Sequence, residues 1–270
     1  MASYEVFEIE RSDHVATLWL ASAERRNAMG PAFWDELPRA MDELAADEAV
    51  RAIVLAARGP HFTVGLDLKS MGGAIADGAG GAAARRRLLE TILRLQRSIS
   101  AVAQSEKPVI AAVHGYCIGG GVDLVTACDL RLAAADAVFS IRETRIAMVA
   151  DVGTLQRLPG IIARGHVAEL AFTGDDFGAE RAREIGFVNH VHPDQERTLA
   201  AARAIAGRIA ANSPLAVTGT KRVLAYCAGK SIEDGLAYVA AWNAAFVASE
   251  DLQEAVRAFF EKRPPDFKGR

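Results

Sequence analysis

The first apolar positions of the chain fall in two alternating runs. In "YEVFEIE" (residues 4–10) and "VATLWLA" (15–21) apolar and polar residues interchange with the two-residue period of a pleated strand, which predicts two paired strands. "GPAFWDELPRAMDELAAD" (30–47) spaces its apolar residues along one helical face, and "AVRAIVLAA" (49–57) returns as a buried strand. Strand, helix, strand in that order predicts an α/β protein. Residues 71–84, "MGGAIADGAGGAAA", offer little to pack and read as a mobile loop, with room for a lid or pocket wall. The long helix "RRRLLETILRLQRSISAVAQS" (85–105) follows.

Beyond it, "KPVIAAVHG" (107–115) is a continuous apolar strand, "CIGGGVDLVTAC" (117–128) turns tightly into a helix, and "DLRLAAADAVFSI" (129–141) supplies further short strands. This repeats the earlier strand–helix logic without close identity and predicts a wound or spiral arrangement. From about Val152 onward the periodicity is mostly helical, and the apolar faces of the final third predict a surface for self-association.

The 270 residues, 51% hydrophobic and 24% charged, fit an ordinary globular chain able to bury a sizeable core without staples. A net charge of -3 leaves no basic excess for nucleic acid or an anionic membrane. Neither is expected as a partner. Cys117, Cys128 and Cys227 show no C-x-x-C pairing and no His at ligand spacing, so no metal site is expected and the thiols read as reduced and buried. The first segment lacks a signal-peptide pattern, no run approaches the roughly 18 apolar residues of a membrane span, and "KGR" is not a Ser-Lys-Leu address. The expected compartment is the cytoplasm.

Chemistry is signalled first by glycines 119–121, between a buried strand and an apolar helix. Free N–H groups at such a turn stabilise negative charge, although a tight packing turn explains the glycines equally well. In "HFTVGLDLKSM" (61–71) the backbone N–H of Leu66 can join that of Gly120 around a developing oxyanion. Asp123, Glu143 and Asp151 all fall in or beside apolar segments, where an unpaired carboxylate is costly. Asp151 can be explained as a helix cap and Asp123 as a dipole partner, but Glu143 has only Arg142 and Arg145 as alternating neighbours. Three acids near one oxyanion turn point to acid and base work on an enolate. His190 and His192 lack a third ligand and read as an exposed strand, and His114 as a buried structural residue.

Taken together, "ERRNAM" (24–29), "HFTVGLDL" (61–68), "KPVIAAVHGYCIGGGVDL" (107–124), "ACDLRLAAADAVFS" (127–140), "GTLQRLP" (153–159), "LAFTGDDFGAERAREIGFVN" (170–189) and "FFEKRPPDF" (259–267) resemble the crotonase, or enoyl-CoA hydratase/isomerase, superfamily over essentially the full length. The resemblance implies an α/β spiral of ββα units over residues 1–200 and a helical trimerisation module over 201–270, assembled as a homotrimer or a homo-hexamer of two trimers. It implies acyl-CoA thioester substrates, no cofactor beyond the CoA carried by the substrate, and an oxyanion site formed by the N–H groups of Leu66 and Gly120. Hydratases of the family place two glutamates at positions 123 and 143 and usually Gly at 151. The Asp123, Glu143, Asp151 combination is similar instead to the Δ3,5-Δ2,4-dienoyl-CoA isomerase branch.

That branch converts a 3,5-dienoyl thioester to the 2,4-isomer. The implied roles are C2 deprotonation by Glu143, C6 protonation by Asp151, and orientation or pKa elevation of Glu143 by Asp123. By the same resemblance Arg25, Arg26, the Leu66-Asp67-Leu68 turn, Phe259 and Lys262 flank the CoA adenine and phosphates, with Lys262 acting on a neighbouring subunit's ligand. Two alternatives stand beside this reading: an enoyl-CoA hydratase, and a silent acyl-CoA-binding member of the family.

Overall fold

The computed structural model of the chain describes residues 3–76 and 80–270. The two alternating runs form β1 (Phe7–Ser12) and β2 (Val15–Leu20), paired antiparallel across a turn in which Asp13 has φ 51°. α1 (Pro31–Ala46) begins at a proline whose fixed φ suits a first helical position, and it buries Phe33, Trp34, Leu37, Met41 and Leu44. It leads to β3 (Ala52–Ala57), parallel to β2 and buried at all six positions, as a strand covered on both faces must be.

α2 (Leu68–Ala76) and α3 (Ala82–Ala103) follow, so the loop expected over 71–84 is largely helical. Gly72 and Gly73 cost about 1 kcal/mol each relative to alanine, and the burial of Met71 in the core offsets them. Residues 77–79 of that span lie outside the described residues.

Two similar turns of chain come next. β4 (Val109–Val113), β5 (Tyr116–Ile118) and α4 (Gly120–Thr126) form one, and β6 (Leu130–Ala134), β7 (Val138–Ser140) and α5 (Thr154–Arg157) form the other. α6 (Arg164–Thr173), β8 (Phe177–Gly178), α7 (Ala179–Glu184) and β9 (His190–His192) complete the spiral. Each turn lays one strand in a six-stranded sheet of order β1-β2-β3-β4-β6-β9, while β5, β7 and β8 form a second sheet. The expected α/β spiral of ββα units is the observed fold.

One core packs α1, α3, α4 and the second sheet against one face of the large sheet. On the other face α8 (Gln195–Ala210) packs Ala202 and Ala206 against Trp19, Val54, Ile110 and Leu132. Asp194 caps α8 by accepting the Arg197 N–H at 2.7 Å. α9 (Pro214–Cys227), α10 (Ile232–Phe246) and α11 (Glu250–Glu261) follow, each capped by a serine one residue ahead of it. These helices leave Leu224, Ile232, Leu236, Phe259 and Phe260 exposed. Cys117 and Cys128 are buried, but Cys227 is exposed, because it ends α9 on the solvent side.

Candidate active site

The site starts from a backbone arrangement. Met29 donates its N–H to Gly65 O (2.8 Å) and accepts from Asp67 N–H (3.1 Å), a parallel bridge that straddles Leu66. In such a bridge the straddled residue turns its own amide the other way. The Leu66 N–H therefore faces Gly120, where an added Cβ would lie 4.0 Å from it. Gly65 makes the approach possible: at φ 79° it holds a left-handed conformation, and a Cβ there would fall 2.6 Å from Ile118 O and 3.3 Å from Gly120 N. Among the described residues, neither the Leu66 nor the Gly120 N–H donates to a protein acceptor. Two unused backbone donors thus lie close together on separate turns.

Asn27 braces this arrangement, a role the sequence reading did not assign. Its side chain accepts from Ser22 N–H (2.9 Å) and donates to Arg58 O and His61 O, while its carbonyl accepts from the Thr63 hydroxyl at 2.6 Å. The Thr63 hydroxyl in turn accepts from Gly65 N–H (3.1 Å). Only the "ERRNAM" motif marked the segment, and no local pattern showed what the asparagine holds.

Leu66, Gly120, Asp123, Glu143 and Asp151 line one cavity of about 530 Å³. Its walls are apolar: Trp34, Val64 and Met71 on one side, Leu88, Ile92 and Leu95 of α3 on another, and Met148 and Val152 beyond. Periodicity made α3 a helix but gave no sign that it would wall the site. Arg142 also reaches the lining, yet its guanidinium is held by both oxygens of Asp176 (2.6 and 2.7 Å), and Arg145 pairs with Asp175. Neither arginine neutralises Glu143, whose buried Oε2 has no hydrogen-bond partner among the described residues.

Asp123 is fully buried. Its Oδ1 accepts the N–H of Thr154, first residue of α5, at 2.6 Å, and its Oδ2 has no hydrogen-bond partner among the described residues. Asp123 therefore does for α5 what had been weighed for Asp151, whose side chain caps nothing; the residue preceding the helix is Gly153. Asp151 is half-buried, and its carbonyl accepts from Gln96 Nε2 at 2.7 Å.

The three acids share a low-dielectric space, and all are held toward their protonated forms. Burial, then the charge of Asp123, raises Glu143 from 4.5 to about 7, with Asp151 adding a smaller push. Burial raises Asp123 from 3.8 to about 6, with Thr154 pulling the other way. Burial raises Asp151 as well, against its own backbone N–H. Such a cavity can take up a proton at one point, give one at another, and hold an oxyanion between them.

The expected CoA contacts are divided. Arg25 reaches Asp67 Oδ2 at 2.5 Å, Leu68 is exposed at the cavity rim, and Arg26 is exposed beside them in a left-handed conformation. Phe259 and Lys262, at the end of α11, do not line the cavity. His114 is buried against Gly59 O (2.8 Å). His190 and His192 lie on β9, with ring centroids 6.4 Å apart. Among the described residues no group of three or more His, Cys, Asp or Glu could hold a metal ion.

The chain belongs to the enoyl-CoA hydratase/isomerase family, whose model matches residues 10–270. Enoyl-CoA hydratase from Bacillus anthracis superposes with a TM-score of 0.90 at 29% identity, covering 98% of this chain and all of that one. The mitochondrial Δ(3,5)-Δ(2,4)-dienoyl-CoA isomerase of Dictyostelium discoideum is 41% identical over 99% of this chain and 93% of its own length. The peroxisomal enzyme of the same name from Arabidopsis thaliana is 42% identical over 99% and 98%. The cytoplasmic expectation is overturned by these relatives, which are mitochondrial or peroxisomal proteins. It rested on missing address signals, and an address is no part of what folds the domain.

Proposed function

We propose that this protein is a dienoyl-CoA isomerase of fatty acid metabolism, shifting the double bonds of a 3,5-dienoyl-CoA to the 2,4 positions. The observation that carries the reading is the trio Asp123, Glu143 and Asp151 on one apolar cavity beside the Leu66 and Gly120 amides. Glu143 takes a proton from C2, and the two N–H groups hold the thioester oxygen as the charge spreads along C2, C4 and C6. Asp151, kept protonated by burial, delivers a proton to C6. The double bonds then stand at C2 and C4, Glu143 carries one proton more and Asp151 one fewer, and solvent restores both. Asp123 raises the basicity of Glu143 by like charge and anchors α5.

Coenzyme A enters as part of the substrate, and no further cofactor takes part. Arg25, Arg26, Asp67 and Leu68 flank its nucleotide end from the same chain. Exposed apolar residues of α9, α10 and α11 support assembly into trimers or paired trimers, in which Phe259 and Lys262 reach a neighbour's ligand.

The test is a 3,5-dienoyl-CoA followed by the ultraviolet absorbance of the conjugated 2,4-dienoyl thioester, with hydration of a 2-enoyl-CoA run in parallel. Fast isomerisation with feeble hydration is expected. Strong hydration without isomerisation would make the protein a hydratase, and binding without either would make it a silent acyl-CoA binder.

A further inference from the structure

The turn that carries Asp151 is gripped from three directions. The Asp151 carbonyl accepts from Gln96 Nε2 at 2.7 Å. The Val152 carbonyl accepts from Arg157 Nη1 at 3.3 Å, and Arg157 Nη2 donates to Ser100 Oγ at 3.0 Å. The Thr154 N–H donates to Asp123 Oδ1 at 2.6 Å. Between them Gly153 adopts φ 130°, and a Cβ there would fall 1.7 Å from Arg157 Nη1. The turn is built around that guanidinium, and no side chain fits in its place.

Gln96 and Ser100 lie one turn apart on α3, the helix whose Leu88, Thr91, Ile92 and Leu95 wall the cavity. Resting on the isomerase reading above, we infer that Gln96 is a positioning residue for the C6 acid: its bond to the Asp151 carbonyl fixes where that carboxyl stands against an acyl chain lying along α3. The carbonyl and the side chain share one Cα, so holding the peptide holds the point from which the carboxyl projects and the direction in which its Cα–Cβ bond leaves. A misplacement near 1 Å is enough to cost orders of magnitude in transfer rate. Glu143 stands on a different turn, after β7, and Gln96 makes no bond to it. The bond from Gln96 thus acts on the turn of Asp151 and not on that of Glu143.

Gln96→Met tests this, because it keeps the side chain's length and helix propensity while removing the donor. In D2O, wild-type protein given a 3,5-dienoyl-CoA is expected to form 2,4-dienoyl-CoA and to return some substrate deuterated at C2. For Gln96→Met the expected result is a roughly tenfold or greater fall in kcat for isomerisation, little change in KM, and C2 exchange retained. The ratio of exchange to isomerisation rises, which general loosening of the fold would not produce. Parallel loss of both, or an unchanged ratio, overturns the positioning role while the isomerase reading stands. A wild-type protein that neither exchanges nor isomerises overturns both.

Discussion

Replacing Asp123 by Asn isolates what a buried, half-satisfied carboxylate costs this fold. The substitution keeps the Oδ1 acceptor for Thr154 N–H, so α5 retains its anchor, and it removes the charge. In the folded chain Asp123 binds its proton up to a pH of about 6, against 3.8 when unconstrained. Between those values the folded state holds a proton that the unfolded state has released, so wild-type stability falls as pH rises through this window and levels off above it. At about 1.4 kcal/mol per pH unit the loss is about 3 kcal/mol. The Asp123→Asn variant has no such loss, and relief of Glu143, whose pKa Asp123 raises, adds in the same direction. An amide NH2 without an acceptor contributes a constant penalty of about 1–3 kcal/mol, independent of pH. The expected signature is therefore a Tm difference, variant minus wild type, that climbs by roughly 6–12 °C between pH 4 and pH 7. Scanning calorimetry at one protomer concentration measures it. A difference that stays flat with pH would refute the reasoning, since it would mean that Asp123 does not titrate in the folded chain as a buried acid.

The same geometry makes three further predictions. Asp151→Asn lowers isomerisation by about 10² or more while acyl-CoA affinity and C2 deuterium exchange persist, read by steady-state kinetics and mass spectrometry. The pH profile of kcat/KM is bell-shaped, because Glu143 must be ionised and Asp151 protonated, with one limb near pH 7; that limb moves to lower pH in Asp123→Asn. Gly65→Ala, at φ 79° and with its Cβ 2.6 Å from Ile118 O, displaces the Leu66 amide and cuts kcat by about 10²–10³, with the far-ultraviolet circular dichroism unchanged.

Much of this was legible in the chain because it depends on local signals. The buried strand 107–115, the glycine turn after it and the alternating β1 and β2 follow from periodicity and turn chemistry alone, and the three acids drew notice because each stood in apolar company. What local signals did not carry was who meets whom. Arg142 and Arg145 flank Glu143 in sequence, yet both turn away to Asp176 and Asp175, contributed by a loop thirty residues on. Asp151 resembled a cap for the helix behind it, but the cap comes from Asp123 across the site. Residues 71–84 read as a loop because glycines and alanines offer little to pack, yet Met71 at their start is buried in the core. Cys227 looked like any other cysteine until its place at the end of α9 exposed it.

The Leu66 and Gly120 N–H groups belong to the main chain, the first within a parallel bridge and the second at a helix start. A side-chain substitution can crowd or shift them but cannot delete them. On the proposed function, the part of the site that would hold the thioester is inherited with the fold, whereas the reaction would depend on carboxylates that single codon changes can add or remove. An engineer wishing to redirect this protein would leave the amides alone and edit positions 123, 143 and 151, treating the spiral as a socket into which different acid and base sets are fitted.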